Sequence, residues 1–237
     1  MGYDCNMLCA KSIMLFAASL TVAALNPSGA FAQGNANKPT KPGQPVSVTL
    51  TAKDSVIVFG QTTALSGKIT DNRAAGAVVR FEQDVTAPYG DSYTPSPLVA
   101  TASKSGQYSI SVAPSVNTLY RATAQVAPPV KSPAVLVRVR TRVSMNLSDS
   151  TPRRGSLLRF TGSVSPAHDG ARALLQKRSP TGRWVTLARP LLTDAGTTRS
   201  AYSSRLRVYR DGDYRVKFAA HADHLNGFSV VKTIDVS

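Results

Sequence analysis

The chain has 237 residues, with 28 Lys and Arg against 13 Asp and Glu, a formal net charge of +15 at pH 7. Charged residues make up 17% and hydrophobic ones 42%, which excludes a disordered tail and a membrane bundle. The length admits one large or two small domains, and short runs rich in Val, Thr, Ser and Ala, broken by Gly and Pro, favour β structure.

Residues 1–32 read as an export signal. Lys11 precedes an apolar run from Ser12 to Leu25, a polar break Asn26-Pro27-Ser28-Gly29, and a small-residue site Ala30-Phe31-Ala32. Met7 is an alternative start, because Asp4 sits oddly in the charged region. A membrane anchor is the competing reading. The run of 14 residues would span roughly 21 Å as a helix, short of the ~30 Å bilayer core. Both cysteines, Cys5 and Cys9, lie upstream of the apolar run. The exported chain is therefore expected to contain no disulfide, no transmembrane segment and no cysteine metal site. Residues 33–45 are polar and are expected to form a flexible leader.

Downstream, runs with strand character fall at Ser47–Ala52, Thr63–Ile69, Ala77–Gln83, Leu98–Ala102, Gln107–Val112, Thr118–Ala124 and Ala134–Arg140. A second series follows at Ser144–Ser148, Leu157–Val164, Arg172–Lys177, Trp184–Ala188, Arg199–Val208, Asp213–Ala219 and Phe228–Val236. Turn residues separate them: Asp71-Asn72, Pro166, Ser179-Pro180-Thr181-Gly182 and Asp211-Gly212. The two series are one unit repeated. Gly60 and Gly67 match Gly155 and Gly162, Gly76-Ala77 matches Gly170-Ala171, and Tyr120-Arg121 matches Tyr214-Arg215. The offset is 94 or 95 residues throughout, too long for a solenoid repeat and right for two copies of a small domain. The expected fold is all-β: two tandem seven-stranded sandwiches over 46–141 and 142–237, with a closed barrel as the alternative. Only Thr141-Arg142-Val143 separate the copies, so little slack is expected between them.

The run Gln176-Lys177-Arg178, Gly182-Arg183-Trp184, Asp194-Ala195-Gly196 and Gly212-Asp213-Tyr214-Arg215 resembles the bacterial immunoglobulin-like (Ig or fibronectin type III-like) modules of secreted and surface proteins. The resemblance covers nearly all of 142–237. It is looser over 46–141, which lacks the tryptophan and carries an irregular insertion, Asp84–Pro97. It implies an immunoglobulin-like sandwich serving as spacer, adhesion unit or accessory binding domain. Such a fold names no ligand.

Few residues suggest chemistry. There is no nucleophile elbow, phosphate-cradling loop or helix-borne His pair, so no enzyme and no cofactor are expected. His168, His221 and His224 supply no spaced metal-ligand set, and Asp211-Gly212-Asp213 falls short of a calcium loop. Asn146-Leu147-Ser148 fits a glycosylation acceptor. Tyr120 and Tyr214 open the penultimate strands and read as tyrosine corners bonding a loop backbone.

Charge is the strongest signal. Residues 142–237 hold sixteen Lys and Arg against seven Asp, whereas 46–141 hold nine against five acids. Strand parity puts Arg199, Arg205 and Arg207 on one outward face, Arg172 and Arg178 on another, and Arg215 and Lys217 beside the latter pair. These are the candidate polyanion-binding residues, with Trp184 a candidate for stacking on a ligand. A plain solvated surface would carry the same charge. The expected role is a secreted, non-catalytic structural or adhesive protein of the cell envelope, with an anionic cell-wall polymer or other surface component as the expected non-covalent partner. The alternative is a soluble carbohydrate- or protein-binding module. The lack of interleaved exposed aromatics argues against nucleic acid.

Overall fold

The computed structural model describes residues 45–70, 74–219, 221 and 223–237. The expected export signal, both cysteines, nearly all of the expected leader and the expected Asp71-Asn72 turn lie outside them. No helix among the described residues is long and apolar enough to cross a membrane.

The first half builds two facing sheets. One contains β1 (Ser47–Val48), β2 (Thr51–Ala52), β4 (Thr63–Thr70) and β7 (Gln107–Val112), with β1 and β2 both pairing β4. The other runs β3 (Val56–Val58), β10 (Val135–Arg140), β8 (Thr118–Ala124), β5 (Val78–Asp84), β6 (Thr94–Thr101), with β9 (Val130–Lys131) also on β8. Among the strands of the described residues only β3 and β10 pair in parallel, and an isolated parallel bridge joins Arg140 to Leu225. The second half repeats the plan. Its first sheet joins β11 (Arg142–Val143) and β12 (Asn146–Leu147) to β13 (Ser156–Ser165), then β17 (Ser200–Val208) and β16 (Thr193–Asp194). Its second runs β15 (Trp184–Ala188), β14 (Leu174–Arg178), β18 (Gly212–Phe218), with β19 (Gly227–Phe228) and β20 (Lys232–Ile234) both on β18. In both halves the chain crosses between sheets at the same points, β4 to β5 and β7 to β8, β13 to β14 and β17 to β18. These are the crossovers of an immunoglobulin-like sandwich, not of a closed barrel.

Each sandwich carries more than seven ladder segments, because its first and last strands are broken into pieces and the second adds the short β16. The expected irregular insertion is partly regular as well. Thr94–Thr101 pairs with β5 through a register shift at Arg80–Glu82, and only the loop ahead of it is irregular. Asp84 anchors that loop: its buried carboxylate accepts the N–H groups of Thr86, Gly90 and Ser92. These bonds, Thr86 and Gly90 foremost, hold its pKa below the usual aspartate value.

The two cores are separate and obey one volume rule. Phe81 faces Ala122 across β5 and β8, while at the repeated position Leu175 faces Val216 across β14 and β18. A large–small pair in one copy is replaced by a medium–medium pair in the other, which keeps the core filled.

Behind β4 and β13 lies a second repeated device. Gly67 and Gly162 have no side chain, so the Tyr108 hydroxyl reaches over Gly67 to donate to Thr49 O, and the Tyr202 hydroxyl donates across Gly162 to Ser144 O at 2.6 Å. A methyl at either glycine would collide with that carbonyl and lie 2.5 Å from the tyrosine oxygen. Burial pushes the Tyr108 phenol up to about 12 and raises that of Tyr202 as well. This corrects the tyrosine-corner reading. Tyr120 and Tyr214 are core residues. Among the described residues no hydrogen bond stations the Tyr214 hydroxyl, whose ring instead packs on Phe160 at 5.5 Å. The backbone staple moves to the strand before, where a hydroxyl can cross a glycine.

The junction between the sandwiches is short and bonded. One residue, buried Thr141, separates β10 from β11. The segment after β18 returns to the first sandwich: Leu225 N–H donates to Val139 O at 2.8 Å, Thr141 N–H to Leu225 O at 3.1 Å, and Asn117 N–H to Asp223 O at 2.8 Å. Gly227 packs so closely that a methyl there would collide with Thr141 Oγ1 and O.

Candidate functional site

The structure divides the candidate cations of the second sandwich between its two sheets. Arg205 and Arg207 project outward from β17, while Tyr202 and Val208 on the same strand are buried and Leu206 packs on the core. Arg199 lies exposed in the turn before β17, its Nε donating to Ala195 O. On the neighbouring β13, Arg159 stands opposite Arg205 and donates to Ser203 Oγ at 3.1 Å. Arg207 donates to Gly155 O. Among the described residues no carboxylate pairs with Arg159, Arg205 or Arg207. Two like charges directly opposed on a sheet repel, so this face carries uncompensated positive charge.

Arg172, Arg178, Arg215 and Lys217 belong to the opposite sheet, where Trp184 also lies. Arg172 flanks β14 and donates to Arg189 O. Arg178 pairs in register with Trp184 and stands 3.8 Å from Asp213, an exposed contact of little strength. Arg215 faces Gln176, and Lys217 faces Leu174 and Phe228. The Arg215 guanidinium lies 4.1 Å from the Trp184 ring centre and 4.6 Å from that of Phe228. Its Nε donates to Gln176 Oε1 at 3.0 Å, and burial lowers its pKa from the ordinary arginine value. Gln176 is itself fixed, with Nε2 donating to Thr186 Oγ1. One face of Trp184 is thus covered by Arg215. Phe228 and Arg159 are not among the binding candidates legible in the sequence, and Gln176 enters there only through the family resemblance. Gln176 was detectable, since it stands 94 residues after Glu82, the chain's one glutamate.

That correspondence shows the physical difference between the copies. In the first sandwich Arg121, the counterpart of Arg215, lies 3.8 Å from the Tyr93 ring centre and donates its Nε to Glu82 Oε2 at 2.8 Å. Glu82 also takes Lys131 at 3.3 Å. Burial works to raise the Glu82 pKa, but the bonds from Arg121 and Lys131 outweigh it and hold the group ionised below its usual value. The first copy neutralises its stacked arginine, and the second does not.

The remaining candidates resolve as structure. Asp211 Oδ1 accepts Val236 N–H at 2.6 Å and Asp213 Oδ1 accepts Thr233 Oγ1, so this turn staples the last strand. The three histidines meet at the junction. His168 lies 5.9 Å from His224 and 6.4 Å from His221, ring centre to ring centre, and His224 Nε2 is 2.8 Å from Ser115 O of the first sandwich. Among the described residues no group of three or more His, Cys, Asp or Glu is placed to hold a metal ion. Asn146 is exposed on β12.

No protein-family profile matches the sequence, and no curated protein matches it. Solved structures similar in part include a tetra-tandem repeat from the extending region of a large adhesion protein, at 17% identity and TM-score 0.31 over 80% of this chain. This chain covers 49% of that one. Bovine butyrophilin gives 11% identity and TM-score 0.39 over 80% of this chain and 99% of its own. A marsupial T cell receptor gives 10% and 0.41, over 81% and 73%. The immunoglobulin-like assignment rests on the strand order described above.

Proposed function

We propose that this chain is a non-catalytic structural or adhesive protein of the cell envelope, exported by residues 1–32 and binding an anionic envelope polymer through its second sandwich. The observation that carries the reading is the charge left uncompensated there. The β13–β17 face presents Arg159, Arg205 and Arg207 with no paired carboxylate among the described residues, while the first sandwich ties Arg121 and Lys131 to Glu82. The bonded junction suits a spacer, because an adhesive module must transmit load between its ends.

The test is retention of the full exported chain on purified cell walls as salt is raised. Charge-driven binding falls steeply as the screening length drops from ~30 Å at 0.01 M to ~8 Å at 0.15 M. Changing Arg199, Arg205 and Arg207 together to Ser lowers retention and leaves folding intact, since all three side chains are exposed. Equal retention of wild type and variant returns these arginines to a solvated surface. A soluble module binding carbohydrate or protein is the second reading. It is favoured by a groove of about 600 Å³ beside β15, where exposed Val185 and Leu187 meet Lys177 and Arg210. Salt-insensitive binding would support it instead.

A further inference from the structure

We infer that Arg215, shelved between Trp184 and Phe228, is a preformed receptor for a single oxyanion of the bound polymer, a carboxylate or a phosphate. This goes beyond the polyanion reading, whose arginines lie on the opposite sheet, and rests on it only for the polymer. The geometry of the site stands by itself. A guanidinium offers five N–H donors in a rigid plane. Here the Nε donor is occupied by Gln176 Oε1, and the plane is held by two aromatic rings at 4.1 and 4.6 Å. The two Nη groups have no protein partner among the described residues. They are the pair of parallel donors that takes an oxyanion in bidentate fashion. Holding the side chain in place before binding removes much of the rotamer entropy that a free arginine loses on capture. Arg178 and Lys217 flank the position on the same sheet face and add attraction without competing for the plane.

The repeated copy supplies the internal comparison. Arg121 has the same Nε bond and is supported by one ring, Tyr93, but its acceptor Glu82 is a carboxylate that already balances the guanidinium's charge. At the equivalent place Gln176 donates shape and no charge. One atom of difference, amide nitrogen for carboxylate oxygen, separates a closed ion pair from an open anion site.

The chain has one tryptophan, Trp184, so its emission reports this site alone. The full exported chain would be titrated with polygalacturonate for carboxylate and with long-chain polyphosphate for phosphate, following Trp184 emission, and retention on each immobilised polymer would be measured alongside. Wild type is expected to respond to at least one probe, and the responsive probe names the oxyanion. Gln176→Glu, which recreates the first copy's ion pair and should fold well, is expected to weaken the response about tenfold, as is Arg215→Gln. Glu82→Gln is expected to open Arg121 and raise the amount of polymer bound. Retention of wild type with an unchanged Gln176→Glu variant overturns the Arg215 site and leaves the polyanion reading standing. An emission response abolished by Gln176→Glu, in a chain not retained on either polymer, supports the site and sinks the polymer reading. Absence of any emission response from wild type overturns the site.

Discussion

Gly162→Ala is the sharpest test of how the second sandwich is held together. The added methyl would collide with Ser144 O and lie 2.5 Å from Tyr202 Oη, so β12's approach and the tyrosine staple cannot both survive. Overpacking of this kind costs about 1–3 kcal/mol, and losing a buried hydroxyl–carbonyl bond about 1–2 more. The sum, roughly 2–4 kcal/mol after partial relaxation, corresponds to a midpoint drop of about 10–20 °C at about 5 °C per kcal/mol for a unit of roughly 95 residues. Tyr202→Phe alone should cost about 1–2 kcal/mol. The double variant should cost less than the sum of the two, because removing the hydroxyl clears one of the two collisions. Tyr214→Phe should move stability by about 0.5 kcal/mol or less, since its hydroxyl has no partner to lose. Thermal and urea unfolding of all four variants decides the matter. A Gly162→Ala protein as stable as wild type, or a Tyr214→Phe protein that melts earlier than Tyr202→Phe, would refute the staple.

Gly227→Ala should loosen the junction without unfolding either sandwich, because its methyl would displace Thr141 from the 225–227 segment; X-ray scattering should then show a wider spread of inter-sandwich angles than in wild type. Asp84 has a depressed pKa, so the stability it contributes is present above the unfolded value near 3.8 and lost as pH falls through the lower folded value. Asp84→Asn should therefore be less stable than wild type at neutral pH and lose less stability on acidification below about pH 4, and proteolysis should reach the 85–93 loop sooner.

Much of this architecture is written locally. The 94- or 95-residue register is read directly from matched residues, and the alternation of Tyr214, Val216 and Phe218 with Arg215 and Lys217 and the outward placement of Arg205 and Arg207 follow from period-two side-chain geometry, which a single strand expresses unaided. Gln107–Val112, Thr118–Ala124 and Trp184–Ala188 fall where periodicity puts them. Other features depend on which strand lies beside which. Val56–Val58 is too short to announce itself and becomes a strand only through its parallel pairing with β10. In sequence the pairs Tyr120/Tyr214 and Tyr108/Tyr202, each 94 residues apart, look alike, so position alone does not tell which tyrosine bonds a backbone carbonyl. Only the approach of Thr49 O over Gly67, and of Ser144 O over Gly162, singles out Tyr108 and Tyr202. The candidate anion site shows the same division. Composition places excess arginine in the second half. Neutralisation is a matter of a few ångströms, and the contacts that make Arg121 a closed pair and Arg215 an open one lie between residues 39 apart in the chain.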